Sequence, residues 1–183
     1  MESLSVQMVR EDLEDIPQYP LPAGYAMRLY RPGDRETWMR IHREAESPDG
    51  DWGKCFDGEF GGDLAGMAKR CCYLVSPRGR DVGTVTAWYD RRFLGRRWGR
   101  IHYVAIVPEH RGKGLSRSIM TVAMERLRRL GHRRAMLVTQ THRIPAIRTY
   151  LRFGFVPEMT SDNAARAWKL VAEQFPHPAL ERL

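Results

Sequence analysis

The stretch from Ile101 to Leu130, IHYVAIVPEHRGKGLSRSIMTVAMERLRRL, limits the possible folds more than any other part of the chain. Ile101–Val107 is apolar, partly β-branched and closed by Pro108, the pattern of a buried strand. From Leu115 the apolar residues recur at helical spacing through Ile119, Val122, Ala123, Leu127 and Leu130, and Gly131 supplies a residue that tolerates a left-handed stop. A helix therefore begins inside Gly112-Lys113-Gly114. Its first backbone N–H groups have no partner within the helix and carry about half a positive charge, so the loop before it is suited to a phosphate. Arg111, Lys113 and Arg117 add formal charge. A Walker-type reading of the same Gly-Lys-Gly is weak, because the loop lacks the upstream glycine and the Ser or Thr directly after the lysine.

A chain of 183 residues fits one domain, long enough to bury about 70% of its unfolded surface. The apolar fraction of 43% and five tryptophans exclude disorder. The apolar runs are shorter than the ~20 residues that span a bilayer, so no membrane association is expected. Met1–Gln18 mixes Glu2, Arg10, Glu11, Asp12 and Glu14 into its apolar residues, unlike a secretory signal, and the expected location is cytoplasmic. Cys55, Cys71 and Cys72 are odd in number and two are adjacent, which suits reduced thiols rather than a disulfide framework or a metal site. The net charge of +8 favours anionic partners. Arginines concentrate at Arg91, Arg92, Arg96, Arg97 and Arg100, and again at Arg126, Arg128, Arg129, Arg133 and Arg134. These read first as a solvated hairpin tip and a helix C-terminus, and second as a patch for an acidic substrate or for nucleic acid, a partner not favoured.

Taken in order, residues 1–22 carry Pro17, Pro20 and Pro22 without sustained periodicity and read as an extended N-terminal arm. Tyr25–Tyr30 alternates as a first strand, and Asp34 is expected to cap a helix over Arg35–Ala45. Ser47–Gly53 reads as loop. Gly61–Arg70 is a weaker helix, whose Gly61, Gly62 and Gly66 leave room for a substrate channel. Cys71–Val75 and Val82–Tyr89 read as strands joined by a turn at Ser76–Gly79, and Arg134–Thr139 as another short strand. In His142–Phe155, Pro145 suits a first helical turn and Gly154 ends the helix. Ser161 to about Phe175 is expected to be a helix capped by Ser161 or Asp162, within a C-terminal extension over 161–183 that packs on the domain. The order of elements predicts a mixed α/β domain over residues 23–160.

Two motifs then point to a family. Arg111, Gly112, Gly114 and Ser116 resemble the pyrophosphate loop of the GCN5-related N-acetyltransferase (GNAT) superfamily, Q/R-x-x-G-x-G/A, with Ser116 in place of the last small residue. Ala146, Tyr150, Gly154 and Phe155 resemble its later motif, N-x-x-A-x-x-x-Y-x-x-x-G-F, with Arg143 where the Asn is common. The resemblance covers about Tyr25 to Pro157. It implies a mostly antiparallel central sheet with one splayed parallel strand pair, here Ile101–Val107 and Arg134–Thr139, and flanking helices. It further implies acetyl-CoA as donor, pantetheine bound by backbone groups of Val104, Ala105 and Ile106, and pyrophosphate bound by Gly112, Lys113, Gly114, Leu115, Ser116 and Arg117. Arg111, Arg143, Ala146 and Tyr150 complete the expected coenzyme site.

Tyr150 matches the family tyrosine that protonates the coenzyme A sulfur. Acyl transfer also needs a base, and His102 is preferred because strand alternation puts it on the face of Val104 and Ile106 and its ordinary pKa leaves it largely neutral at pH 7. Glu109 is the weaker alternative, and Val138 stands where some members carry a Glu. Trp52, Phe56 and Phe60 either line an acceptor pocket or pack in the core. The expected activity is N-acetylation of a primary amine on a small molecule or a peptide, and a homodimer is possible as in other members. The alternatives are a basic nucleic-acid-associated protein and an acyl-CoA-sensing module without turnover.

Overall fold

The computed structural model describes residues 2–181. One seven-stranded sheet organises them in the order β2-β3-β4-β5-β6-β1-β7. The strands are β1 (Ser5–Arg10), β2 (Ala26–Leu29), β3 (Cys71–Val75), β4 (Asp81–Asp90), β5 (Trp98–Ile106), β6 (Ala135–Gln140) and β7 (Val156–Pro157). All neighbours are antiparallel except β5 and β6, the parallel pair expected from the resemblance. The helices are α1 (Arg35–Ala45), α2 (Trp52–Phe60), α3 (Leu64–Arg70), α4 (Leu115–Arg129), α5 (Ile144–Arg152) and α6 (Ala164–Ala172). The mixed α/β architecture is thus as the sequence predicts. None of these helices is long and apolar enough to cross a membrane.

Where local pattern is strong, expectation and structure coincide. α1 has the predicted bounds, and α4 starts at Gly114 with φ +76° and is followed by Gly131 at φ +81°. α5 carries Pro145 in its first turn, and Gly154 takes φ +75° just beyond its end.

Elsewhere tertiary contacts decide. Within residues 1–22, whose Met1 lies outside the described residues, Ser5–Arg10 is a strand lodged between β6 and β7 and paired from Ser5↔Gln140 to Arg10↔Ala135. Its Val6 and Met8 enter the main core while Val9 turns to a small cluster with Trp98 and Met136, an alternation too short to register beside the prolines. The loop expected from Ser47 gives way at Trp52 to α2, whose Trp52, Phe56 and Phe60 recur every four residues. Phe56 and Phe60 are fully buried against Trp38. Core packing, not pocket lining, is therefore their role.

Gly61 and Gly66 answer to local geometry rather than to a channel. A Cβ on Gly61 would meet the Asp57 carbonyl oxygen at 2.5 Å, and one on Gly66 would meet the Asp63 carboxylate that caps α3 through Gly66 N–H. Asp34 occupies the N-cap position of α1, but its carboxylate accepts from the Arg28 guanidinium (3.0 Å) and from Arg31 N–H (2.7 Å) instead. α6 begins after Asn163 with no side-chain cap, so neither Ser161 nor Asp162 caps it. Its Ala167, Trp168 and Val171 are buried, with the Trp168 indole donating to the Glu158 carbonyl at 3.3 Å. Arg182 and Leu183 of the extension lie outside the described residues.

Along β4 and β5 the register slips by one: Thr86 faces His102 but Thr84 faces Ala105, so β5 carries one extra residue there. Tyr103 takes φ +49° within this bulge, a conformation unfavourable for an aromatic residue and held by the packing around it. Beside it, Gly83 leaves no room, because a Cβ would lie 2.8 Å from the Ala105 carbonyl oxygen. Gly83→Ala is expected to cost about 1–3 kcal/mol, read as a lower urea midpoint at an unchanged m-value.

Candidate functional site

The parallel ladder between β5 and β6 is short. It holds at Gly99↔Ala135 and Arg100↔Met136, with Gly99 N–H donating to the Arg134 carbonyl at 3.0 Å, and no pairing follows. The strands part after Arg100, ahead of the bulge at Tyr103. A cleft of about 630 Å³ opens beside the end of β5 that β6 leaves free, floored by Val104, Ala105 and Ile106 and walled by α4, α5 and the end of α1. Gly112 and Gly114, at φ +74° and +76°, turn the loop beneath it so that the N-terminus of α4 faces the cleft at Leu115 and Ser116. These are the backbone features the loop sequence predicts. They create an extended, partnerless edge next to a cluster of free helical N–H groups.

Most of the sequence-predicted cofactor residues meet at this cleft: Val104, Ala105, Ile106, Arg111, Gly112, Gly114, Leu115, Ser116, Arg143, Ala146 and Tyr150 all line it. Two do not. The Lys113 ammonium turns to the Glu109 carbonyl at 3.1 Å, and the Arg117 guanidinium stacks 5.1 Å from the centre of the Tyr19 ring. Arg111 is engaged at the edge of the cleft, donating to the carbonyls of Ile106 (3.0 Å) and Ala45 (2.6 Å).

Arg143, at the N-cap of α5, forms a bidentate pair with Glu46, the C-cap of α1, with Nη1 3.0 Å from Oε1. Both residues line the cleft, so a salt bridge spans its wall. Nothing in the local sequence of Glu46 announces it. Tyr150 is 8% exposed, and burial pushes its hydroxyl up to about 12, with the Arg143 charge opposing the rise and the Glu46 charge adding to it. It therefore keeps its proton through the neutral range.

His102 does not line the cleft. The bulge breaks the alternation that would have set it on the face of Val104 and Ile106, and the rings of His102 and Tyr103, 4.2 Å apart, both pack on Phe60 of α2. His102 Nε2 instead lies 3.1 Å from the Glu59 carboxylate, with Arg100 Nη1 at 4.0 Å from the same oxygen. Burial lowers the pKa of His102, Glu59 opposes this, and Arg100 adds to it. The imidazole is neutral at pH 7. Glu59 comes from the helix that periodicity at Trp52, Phe56 and Phe60 would have revealed.

Behind this pair, His42 of α1 is 1% exposed and neither ring nitrogen has a hydrogen-bond partner. Its ring packs on Trp38 at 4.0 Å, Trp52 at 5.0 Å and Tyr103 at 5.4 Å. Burial drives its pKa down to about 3, and the charges of His102 and Arg143 push the same way. His42 thus stands within electrostatic reach of both the His102 side and the Arg143 side of the site.

Residues 25–155 match the model of the acetyltransferase (GNAT) family. Among similar proteins, the mycothiol acetyltransferase of Geodermatophilus obscurus is 28% identical, with the match covering 88% of this chain and 55% of that protein. The mycothiol acetyltransferase of Nocardia farcinica is 29% identical over 78% of this chain and 48% of its own length. The chain therefore spans about half the length of these curated relatives. Among solved structures, a GCN5-related N-acetyltransferase from Sphaerobacter thermophilus superposes with a TM-score of 0.67 at 22% identity, covering 84% of this chain and 48% of that one. This last likeness concerns the fold.

The buried histidine generates a pH prediction. A histidine with a folded pKa near 3 and an unfolded value of about 6.5 takes up a proton on unfolding at intermediate pH. Its stability contribution is complete above about pH 6.5 and is lost, at about 1.4 kcal/mol per pH unit, as pH falls toward 3. His42→Phe should remove that component, so urea unfolding at pH 7 and pH 5 should show a smaller loss for the variant than for the parent. Equal losses would show that His42 does not titrate on unfolding.

Proposed function

The chain belongs to the acetyltransferase (GNAT) family, and on that premise we propose that it is an acetyl-CoA-dependent N-acetyltransferase acting on a primary amine of a small molecule or a peptide. The observation that carries this reading is the cleft at the end of β5, which joins a phosphate-ready helix N-terminus, a strand edge unpaired with β6 and a protonated tyrosine in one volume.

The residues present fit an acyl-CoA. Gly112 and Gly114 allow a close backbone approach to a pyrophosphate at the start of α4. Val104–Ile106 offers main-chain groups to the pantetheine amides in the manner of an added strand. Arg143, held by Glu46, supplies fixed positive charge close to Tyr150. When bound, acetyl-CoA supplies an activated thioester carbonyl.

The residues of the chain then handle protons. At pH 7 only about one lysine-type amine in 2,500 is unprotonated, so a base raises the reactive fraction. His102 takes the amine proton. Its Nε2 is held by Glu59, which leaves Nδ1 as the accepting nitrogen. Tyr150 gives its proton to the departing thiolate and regains one from solvent. The charge of Arg143 beside it favours the anionic leaving group.

Free-thiol release from acetyl-CoA, measured against amines, peptides and mycothiol-type compounds, the last suggested by the names of the relatives, tests the reading. Absence of both turnover and coenzyme A binding would overturn it. Tyr150→Phe is expected to lower kcat by about 10²-fold. In the parent, kcat/KM should fall on the acid side as His102 protonates, at a pH below the ordinary histidine value. His102→Gln should lose that limb together with most of the rate. Glu59→Gln removes the group that raises the His102 pKa, so the limb should move further toward acid as kcat falls.

A further inference from the structure

Along β4 and β5 the chemistry is laid out in a line. The cleft takes the C-terminal end of β5 at Val104–Ile106, His102 follows, and Arg100 lies opposite Trp88 of β4. Past Arg100 the two strands close in the arginine-rich turn. There the Tyr89 ring carries three guanidinium groups, with Arg70 at 4.8 Å, Arg97 at 4.8 Å and Arg91 at 5.7 Å from its centroid. Trp88 stacks on Tyr89 at 5.2 Å and has Arg70 at 5.7 Å.

Such a cluster needs counter-charge. Among the described residues, none of Arg70, Arg91, Arg97 and Arg126 has a carboxylate oxygen within 4.0 Å. Asp63 is the carboxylate whose charge reaches Arg70 and Arg91, and its side chain is already engaged as the cap of α3. Arg70 is half-buried and held by the Ala87 carbonyl at 3.1 Å, with His132 Nε2 at 3.4 Å. Burial, then Arg97 and Arg126, works against its charge, and Arg70 and Arg97 add to the burial that lowers His132 to about 4. Neighbouring guanidinium groups stacked on one ring repel each other, and a bound anion relieves that repulsion while accepting bidentate hydrogen bonds.

The position of the cluster identifies what the anion belongs to. Trp88 packs on Phe60 at 5.1 Å, and Phe60 on His102 at 5.9 Å, so the cluster adjoins His102 on the side away from the coenzyme cleft. Resting on the transferase reading above, we infer that Arg70, Arg91 and Arg97 around Tyr89 form a subsite for an anionic group of the acceptor, a carboxylate or phosphate. Strand spacing of about 3.3 Å per residue sets it roughly 10 Å from the amine at His102. A long phosphodiester chain would use the same charges, but only a group tethered to the amine uses their alignment with His102.

The test compares Gly-Ala-Xaa amides in which Xaa is Glu, phosphoserine or Gln, acetylated at the N-terminal amine. The Glu and phosphoserine arms separate carboxylate from phosphate. For at least one of them KM should lie about tenfold below that of the Gln peptide, and in Arg91→Gln/Arg97→Gln, with melting temperature as the fold control, that ratio should collapse toward one. Equal KM values in the parent, or a ratio that survives the double substitution, would overturn the inference. So would a fluorescent single-stranded oligonucleotide whose binding is lost in the double variant while the peptide ratio stands. Calorimetry with the N-acetylated peptides needs no turnover. Charge-selective binding without thiol release refutes the transfer reading and upholds the anion subsite, whereas thiol release without charge selectivity does the reverse.

Discussion

The parting of β5 from β6 after two residue pairs is the constraint on which the rest of the site depends. A parallel pair that continued would satisfy every backbone group along Val104–Ile106 and leave no cleft. Beyond that point β5 carries an extra residue, held through Tyr103 at φ +49° and packed among Trp38, His42 and Phe60. The aromatic cluster of α1 and α2 thus has a purpose beyond filling space: it stabilises a backbone conformation that an isolated strand would avoid. On the other strand, Gly83 lets the backbones approach at the same point.

The same irregularity divides the site. His102 and Tyr103 turn toward α2 while Val104–Ile106 floor the cleft, so the proposed base packs against α2 rather than lining the cleft. Charge is distributed accordingly. Arg143 and Glu46 belong to the cleft wall with Tyr150, Glu59 and Arg100 to His102, and the cluster around Tyr89 lies beyond. Between the first two, His42 remains neutral because burial in an aromatic slot makes its protonation costly. The Arg111 guanidinium joins the end of α1 to the end of β5 across the mouth of the cleft.

Much of the cleft was legible from sequence because its elements are local. A strand closed by Pro108, glycines at Gly112 and Gly114, and apolar spacing from Leu115 each express themselves within a few residues. The backbone geometry they require follows from sterics and capping alone. The side facing α2 was not legible in this way. α2 contains two glycines in nine residues, which mask its periodicity and with it Glu59. Alternation alone puts His102 on the face of Val104 and Ile106, whereas the residue inserted in β5 between His102 and Ala105 breaks that alternation. Glu46 is far from Arg143 in sequence and meets it only across the cleft.

By itself the sequence determined the class of fold, the phosphate-ready loop and the tyrosine-bearing helix, because periodicity, turn residues and motif spacing are properties of contiguous chain; the parallel pair came only through the family resemblance those motifs carry. Only the tertiary structure decided that Ser5–Arg10 enters the sheet, that His102 is paired with Glu59, that Arg143 is tied to Glu46, and that Arg70 of α3 joins two arginines of the β4–β5 turn on the Tyr89 ring. Each of these depends on residues brought together by packing of the whole sheet and its helices. The free energy that selects such contacts resides in burial and charge, summed over distant parts of the chain.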